Sequence, residues 1–213
     1  GFNNFAEVAL LPKMADTPAQ VLAFLRDMAQ KAKPYAEKDI AALKEFARTE
    51  LNLSDFQPWD AAFASEKLLQ ARYAFSEQEV KQYFTEPKVL GGLFKVIENL
   101  FNVKVKPDTA PVWHEDVRFY RLETPAGDLV GQFYLDLYAR ETKRGGAWME
   151  EARSRRRVLN GIQKPIAYLN CNFSRPVGGK PATFTHDEVT TLFHETGHGL
   201  HHLLTRGEEL GVS

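Results

Sequence analysis

The period of the hydrophobic pattern changes once along this chain, and that change restricts the fold more than any single motif. In the first half, apolar residues recur every three or four positions. Val21, Leu25, Met28 and Ala32 form one such series, and Ala36, Ile40, Leu43 and Ala47 form the next. That spacing is the mark of amphipathic helices. From residue 117 the period falls to two. In 129–138, Leu129, Gly131, Phe133, Leu135 and Leu137 alternate with Val130, Gln132, Tyr134, Asp136 and Tyr138, as in a strand with two unlike faces. The expected class is α+β, mainly α with a small antiparallel β-sheet.

Local signals divide the helical half. Thr17-Pro18-Ala19-Gln20 combines a capping residue, a proline at the first helical position and a glutamine suited to a capping box. Lys33-Pro34 is expected to end that helix and open the next. A third helix is predicted over 59–74. Ser76 with Glu79 caps a short fourth one. A fifth, 87–101, is expected to bury Val89, Leu93, Val96 and Leu100 despite Gly91-Gly92 near its start. Thr-Pro-Ala-Gly-Asp at 124–128 suits a hairpin turn between strands 117–123 and 129–138. A loop rich in charge and glycine spans 140–146, and the basic run 153–157 reads as a solvated face. A further strand is predicted over 165–173, then a loop over 174–182. The segments are a helical part, 1–103, a sheet with loops, 104–175, and a last helix, 185–206.

Composition narrows the function. Of 213 residues, 27 are Lys or Arg and 28 are Asp or Glu, for a formal charge of −1. Neither nucleic acid nor an anionic membrane has an electrostatic reason to bind such a chain. No apolar run reaches the length of a membrane span. The single cysteine, Cys171, forms no internal disulfide, which points to a reducing compartment, and it reads as a small buried hydrophobe.

The last helix carries the chemistry. Thr185 and Glu188 form a capping box at its start. His194 and His198 are four residues apart, one turn above each other on one face. Two imidazoles so placed reach a single Zn²⁺, and Glu195 lies beside it where a bound water would sit. Leu192, Phe193, Leu200, Leu203 and Leu204 supply an apolar opposite face. Gly197 and Gly199 each cost about 0.5–1 kcal/mol relative to alanine within a helix, so another segment is expected close against them. His201 lies some two turns from His194, too far along the axis to join the same metal. It reads as a support behind the ligands or as packing, and His202 points elsewhere. A glycine three residues and a histidine six residues after His198 would mark the metzincin class. His201 and Leu204 stand there instead, which excludes it.

The run TLFHETGHGLHHLL at 191–204 resembles the active-site helix of the oligopeptidase A and thimet oligopeptidase family, whose motif is H-E-x-G-H. LPKMADTPAQVLAFL at 11–25, FYLDLYARETKRGGAWM at 133–149 and LNCNFSRP at 169–176 are similar to segments of that family in the same order. The resemblance implies a cytoplasmic, zinc-dependent endopeptidase that cuts short peptides in a channel between largely helical walls, of which this chain would be a central fragment. It implies His194 and His198 as zinc ligands, Glu195 as the general base, and a third ligand, a glutamate, on a helix beyond Ser213. The N- and C-terminal parts of the same enzyme are then its partners, and the fragment alone is expected to be inactive and to hold Zn²⁺ poorly. Glu208 and Glu209 would replace the missing ligand only by a sharp reversal of the chain.

Other assignments stay open. Zinc peptidases often lay substrate along an edge strand beside the motif helix, and strand 165–173, with Tyr168 and Asn170, is the candidate. A buried strand without substrate contact fits as well. The glycines of the loop 143–148, Gly145 and Gly146, allow close backbone approach or a plain turn. The competing class is a helical scaffold whose histidines serve no metal. A closed structural zinc site is disfavoured, since such sites use four protein ligands and are usually cysteine-rich.

Overall fold

The computed structural model describes residues 1–74, 76–209 and 211. The chain divides into two compact units, Gly1–Phe75 and Ser76–Ser213. Helix 86–101, which the sequence groups with the first-half helices, belongs to the second.

The first unit holds α1 (Phe5–Leu10), α2 (Pro18–Glu50), a 3-10 turn (Pro58–Asp60) and α3 (Ala61–Tyr73). Thr17 caps α2, its hydroxyl accepting from Gln20 N at 3.2 Å. The helix does not break at Pro34 but runs through it for 33 residues. A proline removes one backbone donor and crowds the preceding turn, yet its fixed φ is itself helical, and helix-favouring residues continue on both sides. Only Leu43 and Ala47 of α2 and Ala64 of α3 are buried, with Leu51, Leu53, Phe56, Ala61 and Leu68 packed around them. Leu25, Met28 and Ile40, assigned to buried stripes from the sequence, are exposed within this chain.

The second unit begins with α4 (Glu77–Lys81) and α5 (Glu86–Phe101). The stripe of α5 follows steps of four, Val89, Leu93 and Ile97, joined by Leu90. Val96 and Leu100 lie on its flank and are exposed, contrary to the expectation from spacing. Then come β1 (Lys104–Pro107), β2 (Arg118–Glu123), β3 (Leu129–Tyr138), β4 (Trp148–Arg153), β5 (Arg156–Val158), β6 (Gly161–Gln163), β7 (Ile166–Phe173) and α6 (His186–Leu204).

Five strands form one sheet in the order β1-β2-β3-β7-β4, and β5-β6 make a separate hairpin. The turn between β2 and β3 closes through Thr124 N to Asp128 O at 2.9 Å, with Gly127 at φ +94°. The α+β class is as expected, but the sheet is mixed. After β3 the chain runs out to the edge as β4, then returns as β7 between the two, antiparallel to β4 and parallel to β3. Period-two alternation marks a strand but not its neighbour, so the sequence alone does not separate these pairings.

One sheet face carries Tyr120, Leu122, Phe133, Leu135, Ala167, Leu169 and Cys171, and α5 and α6 pack against it. The opposite face carries an aromatic group in which Trp113 and Tyr134 each lie within 5.5 Å of Tyr168, centroid to centroid. Among the described residues no helix is long and apolar enough to cross a membrane.

Candidate metal centre

α6 is held at its start, along its length and near its end. The capping box is formed: Thr185 Oγ1 accepts from Glu188 N at 3.1 Å, and the Glu188 carboxylate accepts from Thr185 N at 2.7 Å. The chain leading into it is pinned to the start of α5, Phe184 N donating to Phe84 O and Glu86 N to Ala182 O, each at 2.9 Å. The buried Glu86 carboxylate in turn accepts from the Tyr138 hydroxyl at 2.6 Å and pairs with Arg118. Burial first, then Glu86, pushes the Tyr138 phenol well above its ordinary range, so the hydroxyl stays protonated and donating.

Leu192, Leu200 and Leu203 are buried against the sheet. A Cβ at Gly199 would lie 2.8 Å from Leu169 Cδ2, closer than packed carbons tolerate, so here glycine is what lets helix and sheet meet. Gly197 differs: nothing lies within 4 Å of its Cβ position. It borders an open hollow of about 400 Å³ with Phe101, Leu200, His201, Leu204 and Thr205. The close neighbour expected at both glycines is present at one.

On the open side, His194 and His198 converge. Their Nε2 atoms are 3.1 Å apart and their rings nearly perpendicular, at 83°. Two nitrogens each about 2.0–2.1 Å from a tetrahedral ion would be roughly 3.3 Å apart, so the pair is shaped for a shared cation. Glu195 is buried, at 8% exposure, and no ion pair among the described residues holds it. Those same residues contain no group of three or more His, Cys, Asp or Glu side chains able to hold a metal. Glu208 is engaged elsewhere, its carboxylate pairing with Arg155 and Arg157. His201 is exposed.

The other nominated residues fall apart from the pair. Tyr168 and Asn170 stand opposite Tyr134 and Asp136 in the ladder, on the sheet face turned away from α6. Strand β7 is interior and has both edges taken, by β3 and by β4, so it has no free edge to offer. Among the described residues the free edge beside α6 belongs to β4, which the charged stretch Trp-Met-Glu-Glu-Ala-Arg did not announce by any alternation. His202, read as pointing elsewhere, is buried against that strand.

Gly145 and Gly146 sit in the loop leading into β4. Asn172 Nδ2 donates to the carbonyls of Arg144 and Gly146 at 2.7 and 2.6 Å, and Gly146 takes φ +90°. Lys143 Nζ donates to Asp136 O, Asp136 Oδ1 and Tyr138 O at 2.8–3.0 Å. Arg140 grips both Asp136 oxygens at 2.8 Å. Burial alone would raise the Asp136 carboxyl, but the hydrogen bonds from Arg140 and Lys143 outweigh it and hold it below the usual range. Cys171 is fully buried, which pushes its thiol up to about 12.

All 213 residues match the model of peptidase family M3. The chain belongs to peptidase family M3. Two relatives, both called oligopeptidase A, from Salmonella typhimurium and Escherichia coli, are each 53% identical over 215 residues, covering 100% of this chain and 32% of the relative. A dipeptidyl carboxypeptidase of Escherichia coli is 35% identical over 208 residues, covering 97% of this chain and 30% of its own length. The chain spans about a third of the length of these relatives.

Proposed function

We propose that this chain is a central segment of a zinc-dependent oligopeptidase and supplies two metal ligands, His194 and His198, together with the general base, Glu195. The observation that carries this reading is the convergence of the two imidazoles at 3.1 Å on a capped helix in a chain of peptidase family M3. Zinc bound there would polarise the scissile carbonyl and acidify a water. The Glu195 carboxylate takes the proton from the attacking water and hands it to the departing amine nitrogen. Its burial beside Thr196 keeps bulk water from competing for that proton. The peptide lies along the free edge of β4, whose unpaired backbone groups offer a strand-like ladder. A third ligand comes from outside these 213 residues, so the segment alone binds zinc weakly and does not turn over peptide. The cytoplasm, with one buried thiol and no disulfide to maintain, is the working compartment in this reading.

The test is Glu195→Gln in the full-length protein. The expected result is a fall in turnover of an internally quenched short peptide of about 10²–10⁴-fold, with one zinc per protein retained. His194→Ala and His198→Ala should lose the zinc itself. Turnover within a few-fold of wild type for Glu195→Gln would leave only the scaffold reading. Tight, stoichiometric zinc in the 213-residue chain by equilibrium dialysis would contradict the need for an outside ligand.

A further inference from the structure

We infer that His202 is a positioning residue that sets the spacing between the edge strand β4 and the helix bearing the imidazole pair. The inference rests on the reading just given. His202 lies one helical turn beyond His198 and its side chain is 4% exposed. Its Nε2 is 2.9 Å from the Arg153 carbonyl. A carbonyl only accepts, so Nε2 carries the proton and donates. The other ring nitrogen, Nδ1, faces the Glu151 carboxylate at 3.5 Å. Both ring nitrogens thus address β4.

The place matters as much as the bond. The β4–β7 ladder shifts register between Glu151 and Arg153. Such a bulge bends a strand and leaves part of its backbone outside the ladder, so pairing with β7 determines the strand least at this point. Among the described residues β4 has no further strand on its outer side. The bond from His202 fixes the strand where the ladder lets go, and it does so from the same rigid helix that carries His194 and His198. A peptide paired along β4 is thereby held at one height against the imidazoles. Losing the bond lets the edge drift, and a displacement of an ångström at a reacting bond is worth up to two orders of magnitude.

The experiment compares His202→Leu, His202→Gln and His202→Asn in the full-length protein. Leucine keeps the volume and removes the donor. Glutamine carries an N–H near the Nε2 position, whereas asparagine is too short to reach the carbonyl. Expected are a fall in kcat/KM of at least about tenfold for leucine and asparagine, unchanged zinc content, and recovery to within about threefold for glutamine. If the leucine variant does not fold, the glutamine and asparagine pair carries the comparison alone. Wild-type kcat/KM in the asparagine variant, failure of glutamine to restore a loss, or zinc lost in step with activity would each overturn the inference. Glu195→Gln assayed alongside separates this from failure of the underlying reading: if it too is active, the peptidase assignment falls, and if only the His202 variants are silent, the positioning role falls.

Discussion

The two units of this chain meet water very differently. Among the described residues, a single cluster of 20 buried apolar residues in Ser76–Ser213 joins α5, α6 and the sheet, whereas the corresponding cluster in Gly1–Phe75 holds three. Both units contain helices patterned at helical spacing in the sequence. The difference teaches that periodicity records which face of an element is to be covered, and says nothing of what covers it. In the second unit the sheet and its helices cover each other. In the first, Leu22, Phe24, Leu25 and Met28 remain exposed along α2.

The widest gap between the units should appear on truncating a leucine in each. Leu169 is 2% exposed, and its side chain occupies the space a Cβ at Gly199 would need. Leu169→Ala should destabilise the chain by about 2–5 kcal/mol, from lost transfer energy and the cavity left behind. Leu25→Ala, at an exposed site, should cost no more than about 0.5 kcal/mol. Chemical denaturation of both variants measures this, and equal costs would erase the distinction between the units.

A smaller contrast lies within α6. Gly199→Ala drives a methyl into Leu169 and should cost about 1–3 kcal/mol, as overpacking does. Gly197→Ala meets only open space and should stabilise the 213-residue chain by about 0.5–1 kcal/mol through helix propensity. Opposite signs two residues apart are the expected outcome of thermal unfolding. A cost at both sites would mean that the hollow beside Gly197 closes in solution.

These contrasts show what the sequence makes legible. Short-range chemistry is legible because it depends on residues a few positions apart. The side chains of Thr17, Ser76 and Thr185 cap their helices as their spacing predicts, although the reciprocal half of the box is made at Thr185 and not at Thr17 or Ser76, β3 alternates in burial over 131–135, and His194 and His198 converge because four residues make one turn. Quantities set by distant partners are not legible. Pro34 does not end α2, since a single lost hydrogen bond is too small to outweigh the helix on both sides. The parallel pairing of β3 with β7 depends on β4 intervening at the edge. β4 itself is hidden because its exposed charged residues mask any alternation, and His202 acquires its role only when that strand arrives. Tyr168 and Asn170 lie in a correctly read strand, but strand alternation alone does not say which face looks toward the helix.

Acid should separate the loop leading into β4 from the sheet that carries it. The folded Asp136 carboxyl is held below its ordinary value near 3.8, so the folded state binds fewer protons than the unfolded one. The stabilisation is present above that value and is lost as pH falls through the lower, folded one. Amide exchange in 139–147 should accelerate in that acid range while the amides of β3 stay protected. In Asp136→Asn the loop should exchange quickly at neutral pH as well. Simultaneous loss of protection throughout the sheet would mean that Asp136 supports the whole unit rather than the loop.

The finest comparison uses the same chemistry in both units. Thr17 caps α2 and Thr185 caps α6, each through a hydroxyl accepting from the backbone N–H three residues on, at 3.2 and 3.1 Å. Removing such a cap costs about 1 kcal/mol wherever it is made. Whether that cost reaches global stability depends on what the helix start is coupled to. The start of α6 is tied to α5 and, through Glu86, to Tyr138 and Arg118, so Thr185→Ala should lower the denaturation midpoint of the second unit. The first turns of α2 bury no apolar side chain, so Thr17→Ala should appear as faster local exchange over 17–21, with the midpoint unmoved. Equal midpoint shifts would show that the start of α2 is coupled to a core as firmly as that of α6.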